Sequence, residues 1–109
     1  MTLKSVNPAT NEVIGNYEEM THREVSDVLK NVHMTFTEWK YSSFAQRKEL
    51  MKNAADILRK RKKEFGKIMS LEMGKPFPQA IAEAEKCATV CDYYGENAES
   101  ILVRWSIAM

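Results

Sequence analysis

The sequence has little of several things, and each shortage removes a class of function. No apolar run exceeds a few residues, so no segment reads as a membrane span. The opening stretch, Met1–Thr10, lacks the apolar core of a secretion signal, and there are only two cysteines; free thiols in a cytoplasmic protein are the expectation. The four glycines, at 15, 66, 74 and 95, are too scattered to form a dinucleotide-binding loop. His22 and His33 are the only histidines, which leaves any zinc site short of ligands. Excess charge is missing too. Lysine and arginine number 16 against 15 acidic residues, a net charge of +1, so no global field draws the chain to nucleic acid or to an acidic membrane.

What remains is 109 residues with 44% hydrophobic and 28% charged side chains, enough for one soluble globular domain. The expected fold is mainly α, with three to four amphipathic helices behind a short N-terminal β-hairpin, in a single domain over 1–109. Residues 1–20 read as the hairpin: Leu3–Val6 and Glu12–Tyr17 are β-prone and flank the turn-forming cluster Asn7-Pro8-Ala9-Thr10-Asn11. Two such strands need something to pack on. A helix is expected over 21–41. Thr21 and Glu24 have the spacing of a capping box, and Val25, Val28, Leu29, Val32, Phe36 and Trp39 follow as a helical stripe.

Helices over 43–74 repeat this logic. Ser43 and Gln46 form the cap, and Leu50, Met51, Ala54, Ile57 and Leu58 form one stripe. After a charged joint at Arg59–Glu64, Phe65, Ile68, Met69 and Met73 form another. The seven methionines are expected to fill core gaps. Over 77–105 the residues Ile81, Ala84, Ala88, Cys91, Gly95, Ala98, Leu102 and Trp105 trace a narrow seam of mostly small side chains. Such a seam lets another backbone come close, which places this helix at the centre.

Several motifs invite a chemical reading. Gly74-Lys75 is the pair that ends a phosphate-binding loop, but Met69 and Pro76 stand where that loop needs glycine and a hydroxyl. Gly74 is instead expected to close a helix in left-handed geometry, with Pro76 blocking continuation and Pro78 in the next first turn. Cys87 and Cys91, four apart on a helix, have neither the extra ligands of a metal site nor an adjacent base, and read as core thiols. The basic run Arg59–Lys63 could touch phosphates, but Glu49, Asp56 and Glu64 are near enough to dilute it, and no aromatics interleave. Glu83 and Glu85 point to different sides of their helix and make a poor acid–base pair. No catalytic, cofactor-binding or metal-ligating residue is expected in this chain.

Three stretches, in order and spacing, resemble the N-terminal region of the aldehyde dehydrogenase superfamily. Asn7–Gly15 (NPATNEVIG) looks like its opening hairpin. Arg47–Pro76 looks like its paired helices ending in an E-x-GKP turn. Ala82–Glu99 is similar to its next long helix, nearest the succinate-semialdehyde dehydrogenase branch. The resemblance implies the N-terminal helical part of a cofactor-binding domain, in a family that oxidises aldehydes with NAD or NADP through a cysteine nucleophile. It carries no catalytic role to Cys87 or Cys91, because the family's nucleophile, base and cofactor-binding strands lie beyond the segment present.

The resemblance fades after Leu102, where Val103–Met109 suggests a shortened gene product or a shifted frame. The chain is therefore expected to be inactive alone and to form a homo-oligomer through the seam helix and the apolar tail. A full-length dehydrogenase subunit is an alternative partner. Nucleic-acid contact through Arg59–Lys63 is a further alternative.

Overall fold

The computed structural model describes residues 1–108, with side chains through Val103. Two strands, β1 (Thr2–Val6) and β2 (Val13–Glu18), precede four helices: α1 (His22–Trp39), α2 (Phe44–Lys60), α3 (Lys62–Met73) and α4 (Phe77–Ala108). The chain groups into two units, Met1–Ser42 and Ser43–Met109. The mainly helical fold with an N-terminal hairpin is as the sequence led us to expect.

In the first unit β1 and β2 pair antiparallel, Thr2 opposite Glu18 and Ser5 opposite Gly15, with an irregularity between Ser5 and Val6. The turn is held by its own polar groups. The Ala9 N–H donates to Asn7 Oδ1 at 2.9 Å, and Asn11 takes a positive φ of 61°, a conformation that asparagine tolerates. The expected capping box at the start of α1 is formed: the Thr21 N–H donates to Glu24 Oε2 at 2.8 Å, and the Glu24 N–H donates to Thr21 Oγ1 at 3.3 Å. Both elements are therefore locally specified. None of the α1 residues is buried, and the stripe from Val25 to Trp39 is exposed along its whole length.

The second unit is built on small side chains. Ser43 caps α2 by accepting from the Gln46 N–H at 3.1 Å. The break between α2 and α3 falls at Arg61, inside the expected charged joint. Gly74 ends α3 with φ 68°, the left-handed closure expected of it, and its N–H donates to the Ser70 carbonyl at 3.0 Å. Pro78 lies in the first turn of α4.

Helix α4 packs on both α2 and α3. Among the described residues of this unit, the buried ones are Ala55, Gly66, Ala80, Ala84 and Ala88. At Gly66 a Cβ would come within 3.0 Å of Ile81 Cγ1 and 3.1 Å of the Ile81 backbone nitrogen, so glycine lets α3 and α4 approach closely. No helix among the described residues is long and apolar enough to cross a membrane.

Two expectations need correction. The methionines are mostly not core: Met1, Met20, Met34 and Met73 are exposed, and only Met51 and Met69 in the second unit are half-buried. The middle of the seam is not free for a second copy, because Ala84 and Ala88 are already covered within this chain. The apolar tail expected to take part in association lies, beyond Val103, outside the described side chains.

Candidate functional site

Beside the alanine seam lies a set of ion pairs that the sequence reading only half anticipated. Arg59, at the end of α2, reaches α4 with both arms of its guanidinium: Nη2 donates to Asp92 Oδ2 at 2.5 Å and Nε to Glu85 Oε1 at 3.2 Å. Lys62, at the start of α3, donates to the second oxygen of Glu85 at 3.0 Å. Further along α2, Lys48 meets Glu96 at 2.7 Å. Lys75, in the α3–α4 turn, pairs with Glu83. The hydrogen bond to Asp92, followed by that to Glu85, raises the Arg59 pKa above its ordinary value, partial burial opposing. The Lys62 hydrogen bond chiefly, then that of Arg59, holds Glu85 below the usual carboxylate range, again against partial desolvation.

This arrangement bears on two candidates. Three of the five basic residues in Arg59–Lys63 are engaged within the chain, Arg61 pairing with Glu64 at 2.5 Å. The sequence reading named Glu49, Asp56 and Glu64 as the diluting charges. Only Glu64 does so among the described residues. The others that matter, Glu85 and Asp92, come from α4, far away in sequence. Glu83 and Glu85 do point apart, one toward Lys75 and the other toward Arg59 and Lys62.

The cysteines are not a core pair. Cys87 is exposed and Cys91 half-buried, the latter lining a cleft of about 110 Å³ with Lys48, Lys52, Asp92, Gly95 and Glu96. Neither thiol hydrogen-bonds to a base among the described residues. His22 and His33 are exposed on α1. No cluster of three or more His, Cys, Asp and Glu side chains suited to a metal ion occurs among the described residues. An open apolar groove of about 490 Å³ runs along Val28, Val32, Phe36 and Trp39 of α1. It offers shape and hydrophobicity but no group for chemistry.

Comparison with known proteins places this architecture. A sequence profile of the aldehyde dehydrogenase family matches residues 1–106. A probable succinate-semialdehyde dehydrogenase [NADP(+)] of Synechocystis is 41% identical over 102 residues, which is 94% of this chain and 22% of that protein. The mitochondrial succinate-semialdehyde dehydrogenase of Arabidopsis thaliana is 33% identical over 92% of this chain and 19% of its own length. The crystal structure of succinic semialdehyde dehydrogenase from Streptococcus pyogenes, in complex with NADP+, superposes with a TM-score of 0.83 at 33% identity, covering 89% of this chain and 22% of that one. The chain belongs to the aldehyde dehydrogenase family. It spans about a fifth of the length of the relatives it matches.

The Gly74-Lys75 turn is the nearest thing to a phosphate site. There Gly74 is used as a helix terminator, the Lys75 ammonium is paired with Glu83, and Pro78 presents no N–H in the first turn of α4.

Proposed function

We propose that this chain is the N-terminal, structural part of a succinate-semialdehyde dehydrogenase-like enzyme, and that on its own it neither binds NAD(P) nor oxidises aldehydes. Its role in such an enzyme is to supply a packed three-helix face and a hairpin to the cofactor-binding domain. The observation that supports this most directly is the likeness over 94% of the chain to only 22% of a relative that carries that name. Cys87 is exposed, and Cys91 lies among the balanced charges of Lys48, Lys52, Asp92 and Glu96, a setting that agrees with a non-catalytic role. Copies of the isolated chain associate, in this reading, through the exposed apolar face of α1 rather than through the seam. Exposed stripes of that size are where association is expected.

Two constructions test the reading together. The 109-residue chain, mixed with succinate semialdehyde and NAD+ or NADP+, should form no reduced cofactor. A chimera carrying this chain's sequence in place of the matched 102 residues of the Synechocystis relative should keep that enzyme's activity. Aldehyde-dependent NADPH formation by the chain alone, lost in Cys87→Ser/Cys91→Ser, would defeat the claim of inactivity. A soluble chimera without activity would defeat the claim of equivalence.

A further inference from the structure

The near-zero net charge conceals a division of charge between helices. From Phe44 to Met73, the span of α2 and α3, nine lysines and arginines stand against four acidic residues. From Phe77 to Val103 in α4, five carboxylates stand against one lysine. The ion pairs that reach α4 all have the same polarity. Lys48, Arg59, Lys62 and Lys75 supply the cations from α2, α3 and their exit turn, and Glu83, Glu85, Asp92 and Glu96 supply the carboxylates from α4. The larger apolar side chains of the same unit, Leu58, Phe65 and Ile81 among them, are only half-buried. The fully buried side chains are alanines, which bring only a methyl group each to the seam.

We propose that α4 is an electrostatically latched helix, held on α2 and α3 in good part by this one-sided set of ion pairs, so that salt opens the cleft between α2 and α4 at Cys91. Single exposed pairs contribute little, but charges of one sign facing charges of the other act together, and mobile ions screen that joint attraction. The pairs are half-exposed, so screening reaches them. Arg59 is the centre of the latch, because it bridges two carboxylates a full two turns apart on α4.

The two cysteines read the latch directly. Cys91 lines the cleft between α2 and α4, and opening uncovers it; Cys87 is exposed already and serves as the control. The full chain is prepared as Cys87→Ser and as Cys91→Ser, and each remaining thiol is timed against the uncharged reagent N-ethylmaleimide in low salt and in about 1 M NaCl. The Cys91 rate should rise several-fold with salt and the Cys87 rate should not. The cleft is lined by two lysines, Lys48 and Lys52, and two carboxylates, Asp92 and Glu96, so screening favours neither sign and acceleration at Cys91 alone reports opening.

Arg59→Glu should raise the Cys91 rate already at low salt, and the full reversal, Arg59→Glu and Lys62→Glu with Glu85→Arg and Asp92→Arg, should restore protection. A Cys91 rate that does not rise with salt would overturn the latch. So would a gain of reactivity, or a loss of folding, in Arg59→Glu that the charge-swapped chain does not reverse.

Discussion

The two units of this chain use apolar residues in opposite ways. In Met1–Ser42 the large ones, Val25 through Trp39, stand at good helical spacing and remain exposed; the order of the unit comes from a turn and a capping box. In Ser43–Met109 several large side chains, Leu50, Ile57 and Ile68 among them, are also exposed. What is buried is a line of alanines and one glycine where helices touch. Helix formation and helix packing thus draw on different residues. A helix can be specified by its ends and its periodicity, whereas packing at short range is specified by what is left out of the interface.

The sharpest way to break the comparison is to add volume in each unit. Ala88→Leu would insert three methylene-sized groups where α4 has no exposed surface at all, and should destabilise the second unit by about 1–3 kcal/mol or more. Val32→Leu adds volume to the exposed stripe of α1 and should stay within about 0.5 kcal/mol. Urea unfolding followed by helical circular dichroism measures both. Equal effects would mean that the alanine seam is not the packing centre.

A smaller change sharpens the contrast from the other side. Thr21→Ala and Ser43→Ala each remove one cap, worth about 1 kcal/mol. In α1, where nothing is buried, that loss falls on a helix whose order is local, and its first turns should fray. In α2 the packing of Ala55 against its neighbours holds the helix when its cap is gone. Amide hydrogen exchange should therefore accelerate across His22–Ser26 in the first variant, and over fewer residues after Phe44 in the second.

These differences mark how much of the molecule was legible in the sequence. Local signals were readable because a few adjacent residues carry them: the Asn7–Asn11 turn, the Thr21–Glu24 box, the Arg61 break and the Gly74 stop all lie where their side-chain chemistry puts them. Ala84 and Ala88 were readable too, as members of a periodic seam. Ala55, Gly66 and Ala80 were not. A search for apolar stripes is weighted toward large side chains, and close helix contact selects small ones.

The family was legible from the order of whole segments. The latch at Arg59 was not. Its carboxylates are 26 and 33 positions away, and only the return of α4 alongside α2 brings them together.

The smallest effect concerns acid. Glu24 is held below its ordinary pKa of 4.5, first by the hydrogen bond from the Thr21 backbone and then by that from the Thr21 hydroxyl. A carboxylate whose folded-state pKa is depressed contributes stability above its unfolded value and loses it as pH falls through the folded one. The start of α1 should therefore be intact at neutral pH and loosen as acid takes the solution below 4.5. Glu85 is depressed as well, chiefly by Lys62, so acid also weakens the second unit, and bulk helicity would mix the two effects.

Glu24→Gln separates them. Glutamine can occupy the same place in a capping box but does not titrate. Its amide resonances over residues 22–25 should lose the acid transition that the unaltered chain shows below the ordinary value of 4.5, while those around Glu85 titrate unchanged. If the amides of residues 22–25 keep the same transition in Glu24→Gln, the box is not what titrates. The first unit would then depend on contacts beyond its own caps, and the contrast between the two units would be smaller than the burial pattern indicates.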